Sequence, residues 1–130
     1  MKSLPLAAVG LLMVGGPALA HHPFASEFDA NAPVTLTGTV EGINWNNPHV
    51  NFRVAVKDNS GETRNWTFQA ASPATLQKKG WTKTTLKEGE KITMQGYRAK
   101  SEPFVAAARM ISLPNGKKLS SASNDGGPQT

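Results

Sequence analysis

The residues best suited to chemistry are three histidines, and they fall in two places. His21 and His22 stand side by side. His49 follows Pro48 in the stretch Asn44-Trp45-Asn46-Asn47-Pro48-His49. If the chain is cut after Ala20, His21 becomes the amino terminus. Its free amine and its Nδ1 then form a bidentate chelate, and the imidazole of His49 supplies a third nitrogen. Amine and imidazole nitrogens suit Cu(II) in tetragonal geometry, so copper is the expected cofactor of the set His21, His22 and His49. A second mode uses the amine, the His21–His22 amide nitrogen and His22 Nδ1. Pro23 occupies position three, so the amino-terminal motif that needs a histidine there is absent. The competing reading is structural: His21 and His22 stay mobile beside a cleavage site, and His49 hydrogen-bonds within its own turn.

A second candidate set is aromatic. Trp45, Trp66 and Trp81, with Asn47 beside the first, offer flat faces and an amide to a small ligand, a glycan or a protein partner. Trp45 is out of phase with the strand pattern before it, which favours exposure. Against this, a small chain without disulfides needs its large apolar side chains for its core.

Other chemistries are excluded by composition. The chain has no cysteine, which removes thiol nucleophiles, redox pairs and Cys-ligated zinc together. Glu27, Asp29 and Glu41 are the acids nearest His49 in sequence, and none falls into a general acid–base motif. Ser72 precedes a proline at a helix start and reads as a cap, not a nucleophile. The glycine pairs form no phosphate loop. The expectation is a protein that is not an enzyme. Fourteen basic residues against nine acidic ones give a net charge of +5, but the bases are scattered and not interleaved with the aromatics. No nucleic acid is expected as a partner.

These groups must be positioned by the elements around them. Residues 1–20 read as a secretory signal peptide: Lys2 is the positive start, Leu4 to Val14 the apolar core, Gly15-Gly16-Pro17 a break, and Ala18-Leu19-Ala20 the cleavage site. The apolar run is shorter than the roughly 20 residues a bilayer requires. No cysteine follows the cut, so the expected product is periplasmic, without a membrane anchor after cleavage. It is also expected to be monomeric, with a metal ion or a periplasmic protein as its partner.

Residues 21–33 read as an arm carrying the anchors Phe24 and Phe28. Residues 34–119 read as one β domain. Val34 to Ile43 alternates with period two until a phase change at the glycines, which marks a bulge or bend. Val50, Phe52, Val54 and Val56 alternate again, and Thr63 to Ala70 returns with Trp66 and Phe68 on one side. Ser72-Pro73 starts a short helix that Gly80 ends. A fourth strand carries Ile92, Met94 and Gly96, a fifth runs from Val105 to Leu113, and Pro114-Asn115-Gly116 turns into the short piece Lys117 to Leu119. Thr82 to Leu86 is expected to add a helical turn. Residues 120–130 lack apolar side chains and are predicted to be a disordered tail. The expected fold is mainly β, a small five- to six-stranded OB-like Greek-key barrel with one short helix between strands three and four.

Several short motifs together carry a family resemblance. They are His21-His22-Pro23-Phe24, Gly38-Thr39-Val40, Trp45-Asn46-Asn47-Pro48-His49, Ser72-Pro73, Gly80-Trp81-Thr82, Leu86-Lys87-Glu88-Gly89-Glu90 and Gly96-Tyr97-Arg98-Ala99-Lys100. Over about residues 21–119 the chain resembles a group of small exported bacterial proteins, mostly proteobacterial, classed as a domain of unknown function. The resemblance implies a periplasmic barrel and supplies neither an activity nor site residues.

Overall fold

The computed structural model describes residues 22–130. The chain folds as α1 (Phe24–Glu27), β1 (Phe28–Asn44), β2 (Asn51–Lys57), β3 (Thr63–Gln69), α2 (Pro73–Lys78), β4 (Lys91–Ala99), β5 (Val105–Ser112) and β6 (Lys118–Ser120). The strands form one mainly β, six-stranded sheet in the order β3-β2-β1-β4-β5-β6. A further parallel pairing joins β3 to β5, matching Thr67 with Val105 and Gln69 with Ala107, and this closes the sheet into a ring. Residues 1–20, read as a signal peptide, and His21 lie outside the described residues. Among the described residues no helix is long and apolar enough to cross a membrane.

Alternation dictates which side chains fill the ring. Phe52, Val54 and Val56 of β2, Trp66 and Phe68 of β3, and Ile92 and Met94 of β4 all point inward and are buried. The long first strand serves two neighbours, β4 along most of its length and β2 from Thr39 onward. Its register against β2 shifts between Val40 and Gly42, the bulge expected at the phase change. Two glycines permit close crossings. A Cβ on Gly38 would lie 2.3 Å from the Ala55 carbonyl oxygen, and one on Gly96 only 2.0 Å from that of Ala107. Helix α2 is capped as the sequence predicts: Ser72 Oγ accepts the Thr75 N–H at 3.3 Å, Pro73 opens the first turn, and Gly80 follows with φ of +93°. Its Leu76 plugs the core.

Three expectations change. The segment read as an arm, residues 21–33, is divided: Phe24–Glu27 is a helical turn, and from Phe28 the chain already belongs to β1. Pro33 is tolerated within that strand because β1 has only β4 beside it there. Thr82 to Leu86 forms turns, not a helical segment. The tail, predicted to be disordered, is packed. Ser121 and Ala122 are fully buried, and the chain threads between β5 and the end of β3 through Ser121 N–H to Arg109 O at 2.9 Å and Ala71 N–H to Ser121 O at 3.0 Å. Composition weighed only apolar side chains. Backbone hydrogen bonds and one buried ion pair order this segment instead.

Candidate metal-binding cleft

The turn between β1 and β2 is fixed at its far end by Val50, which is completely buried. Val50 donates its N–H to Ala71 O at 3.0 Å and accepts from Ala70 N–H at 2.8 Å. That clamp lays His49 over the end of β3, where Nδ1 lies 3.0 Å from the Ala70 carbonyl oxygen. A carbonyl can only accept, so Nδ1 carries the proton and Nε2 of the neutral ring carries the lone pair. Ser123 Oγ donates to the same carbonyl at 3.3 Å and lies 3.5 Å from His49 Nδ1. A histidine oriented through one nitrogen by a backbone carbonyl is the usual arrangement of a metal-ligating imidazole.

The N-terminal segment is laid across this turn. Phe24 and Phe28 bury their rings in a small cluster with Ala107, against which Tyr97 packs. The α1 turn is closed by Ser26 Oγ donating to Pro23 O at 2.7 Å, and Lys100 N–H holds Glu27 O at 2.9 Å. His22, two residues before Phe24, is thereby held on the same side of the fold as the β1–β2 turn. The two histidines line the same pair of adjoining clefts, each of about 300 Å³. Pro48 and Asp125 are common to both clefts. Glu27 lines the first, and Ser72 and Ser123 line the second.

Asp125 is not free to act as a ligand. Its carboxylate accepts from Arg109 Nη2 at 3.0 and 3.2 Å, and Oδ1 also accepts the Gly127 N–H at 3.0 Å. Among the described residues, no three His, Cys, Asp or Glu side chains converge as a metal site. The described cleft offers the imidazoles of His22 and His49. His21 lies outside the described residues.

The aromatic set is dispersed. Trp66 is 4% exposed and Trp81 3% exposed, so both are core residues and neither presents a face to a ligand. Trp66 stacks on Phe68 with ring centroids 6.0 Å apart, while Trp81 donates its indole N–H to Ser120 O at 2.8 Å. This corrects the reading of both as ligand-stacking residues: a core this small takes in large rings from the strands, as Trp66, and from the connection after α2, as Trp81. Trp45 is half-buried against the core edge, and Asn47 is exposed on the turn. Neither contributes to the histidine-lined clefts, whose turn residues are Pro48 and His49.

Sequence reasoning missed Arg109, Asp125 and Ser123. One signal for Arg109 was available. It falls in phase with Ala107 and Ile111 on β5, and an arginine on an apolar parity demands a buried partner. Asp125 is the only acid after β6 and was the partner to look for.

A search of the curated proteins finds no match to this sequence. Residues 8–105 match the family of unknown function DUF6152, and the chain belongs to that family.

Proposed function

We propose that the exported and processed chain is a periplasmic OB-type barrel that binds one Cu(II) ion between its new amino terminus and His49. The OB assignment draws on the ring formed by β1, β2, β3, β5 and β4, with α2 inserted between β3 and β4. The observation that carries the metal reading is the shared cleft: His22 and His49 line the same two cavities. Chain length adds to it. Phe24 lines the first cavity together with His49, and His21 precedes it by only three residues, at most about 11 Å of extended chain.

Cleavage after Ala20 frees the His21 amine, which with Nδ1 forms the chelate. Nε2 of His49 then supplies the third nitrogen, and His22 is the alternative donor. Binding requires each nitrogen to be unprotonated, so affinity falls as the pH drops. The role is binding and carriage of the ion as a monomer, without catalysis. Glycan or ligand stacking on Trp45, Trp66 and Trp81 loses its basis with two of the rings in the core.

The test is a Cu²⁺ titration of the untagged, processed protein, followed by visible absorbance. The expected result is a d–d band that saturates at one equivalent, and that is lost or shifted when one extra residue precedes His21. A band unaffected by that added residue, or no band at all, would sink the proposal.

A further inference from the structure

Phe52, Val54, Trp66 and Phe68 face the core, so the odd-numbered side chains of β2 and β3 form the outer face of the sheet. Register arranges that face in two rows across four strands. Gly42, Arg53, Thr67 and Val105 stand abreast in one, and Asn44, Asn51, Gln69 and Ala107 in the next. Two adjoining cavities open on these rows. The first, of about 440 Å³, is lined by Gly42, Asn44, Arg53 and Glu88, and the second, of about 630 Å³, by Gln69, Val105, Glu27 and Glu102. Asn51 and Thr67 line both, so the two form one groove.

The polar groups of this groove are largely unused by the fold. Thr67 and Gln69 are half-buried, and neither side chain makes a hydrogen bond among the described residues. Asn51 donates to His49 O at 3.3 Å and keeps its carbonyl oxygen free. The Arg53 guanidinium lies over Gly42, where a Cβ would come within 2.7 Å of Nη2 and 3.3 Å of Nε. Among the described residues Arg53 has no ion-pair partner, and neither have Glu27, Glu88 and Glu102. Three carboxylates against one guanidinium make the groove acidic, in a chain whose net charge is +5. From Gly42 to Val105 the row crosses three strand spacings, about 14 Å. That is the reach of four residues of extended chain.

We propose that this groove binds a short peptide, about four residues long, with a basic carboxy-terminal residue. Its carboxylate lies on the Arg53 guanidinium, and its basic side chain meets Glu88 in the same cavity. Its peptide groups cross Asn51, Thr67 and Gln69, whose amides and hydroxyl each offer a donor and an acceptor to N–H and C=O. Its amino terminus reaches Glu27 and Glu102. A neutral glycan would use the amides and leave four charges unanswered, and a nucleic acid would set phosphates against three carboxylates. The groove abuts the first histidine-lined cleft at Glu27 and Gln69 but uses neither histidine, so it stands or falls apart from the copper reading.

The probe is the peptide Ala-Ala-Ala-Lys, titrated into the processed, untagged protein with no metal added and followed by amide NMR. Saturable shifts are expected at Asn51, Thr67 and Gln69, with a dissociation constant of about 1 mM. Converting the peptide's carboxylate to an amide should weaken binding about 10-fold, because Arg53 loses a charge-assisted bond. Gly42→Ala puts a methyl group where the guanidinium lies and alters no charge. In that variant, as in Arg53→Gln, the free acid and the amide should bind alike. Acetylating the peptide's amino end should weaken binding about 3-fold in the wild type and not in the double variant Glu27→Gln, Glu102→Gln. No saturation at these residues up to about 10 mM peptide overturns the proposal. So does equal affinity of the wild type for acid and amide, or shifts produced there by maltotetraose and not by the peptide.

Discussion

The Ala70 carbonyl, 3.0 Å from His49 Nδ1, fixes the tautomer of that ring and so decides which nitrogen is available to a metal ion. The sequence marks His49 as a candidate by its type and by the proline before it. It carries no sign of the carbonyl, which comes from the end of β3, 21 residues away. Trp81 shows the same limit in reverse. Read by type it is a stacking platform; in the fold its indole N–H is taken by Ser120 O at 2.8 Å. Trp81→Phe should therefore lower the unfolding free energy by about 1 kcal/mol in urea, because it strips a part-buried carbonyl of its donor. Trp45→Phe, at the edge of the core, should cost less.

At the scale of elements the sequence was informative wherever one face of a strand is buried. Period-two alternation located β2, β3 and β4, the Ser72-Pro73 pair located α2, and the glycines of β1 marked its bulge. Alternation does not say which strands pair. The parallel β3–β5 contact that closes the ring involves only Thr67, Phe68 and Gln69 on one side, too short a run to leave a pattern. The β2–β3 connection gives a prediction of its own. The Asp58 carboxyl is held below its usual value of 3.8, chiefly by the Ser60 hydroxyl, which donates to it at 2.6 Å, and further by the backbone of Ser60 and by Arg64; partial burial opposes them. A depressed carboxyl stabilises the fold at pH values above its unfolded pKa. That contribution is lost as the pH falls below 3.8 towards the lower folded value. Thermal melts should show wild type more stable than Asp58→Asn near neutral pH, with the difference closing in that acidic window. A difference that grew on acidification would contradict the assignment.

Across the whole molecule, the two ends of the described chain meet at one place on the closed sheet, and this is where sequence reasoning was weakest. Residues 120–130 have the composition of a disordered segment, yet Ser121 and Ala122 are buried and Asp125 answers the charge of Arg109. Local composition has no access to an acceptor supplied by another strand, and that acceptor is what orders this tail. The same convergence puts His22 and His49 on the walls of the same two cavities. The most direct measurement is pulsed electron paramagnetic resonance on the processed, untagged protein loaded with one equivalent of Cu²⁺, beside His49→Gln prepared in the same way. The proposed site predicts modulation from a His49 imidazole bound to copper in the wild type, and its loss in the variant. Identical modulation in the two proteins would contradict a metal ion shared between the amino terminus and the turn.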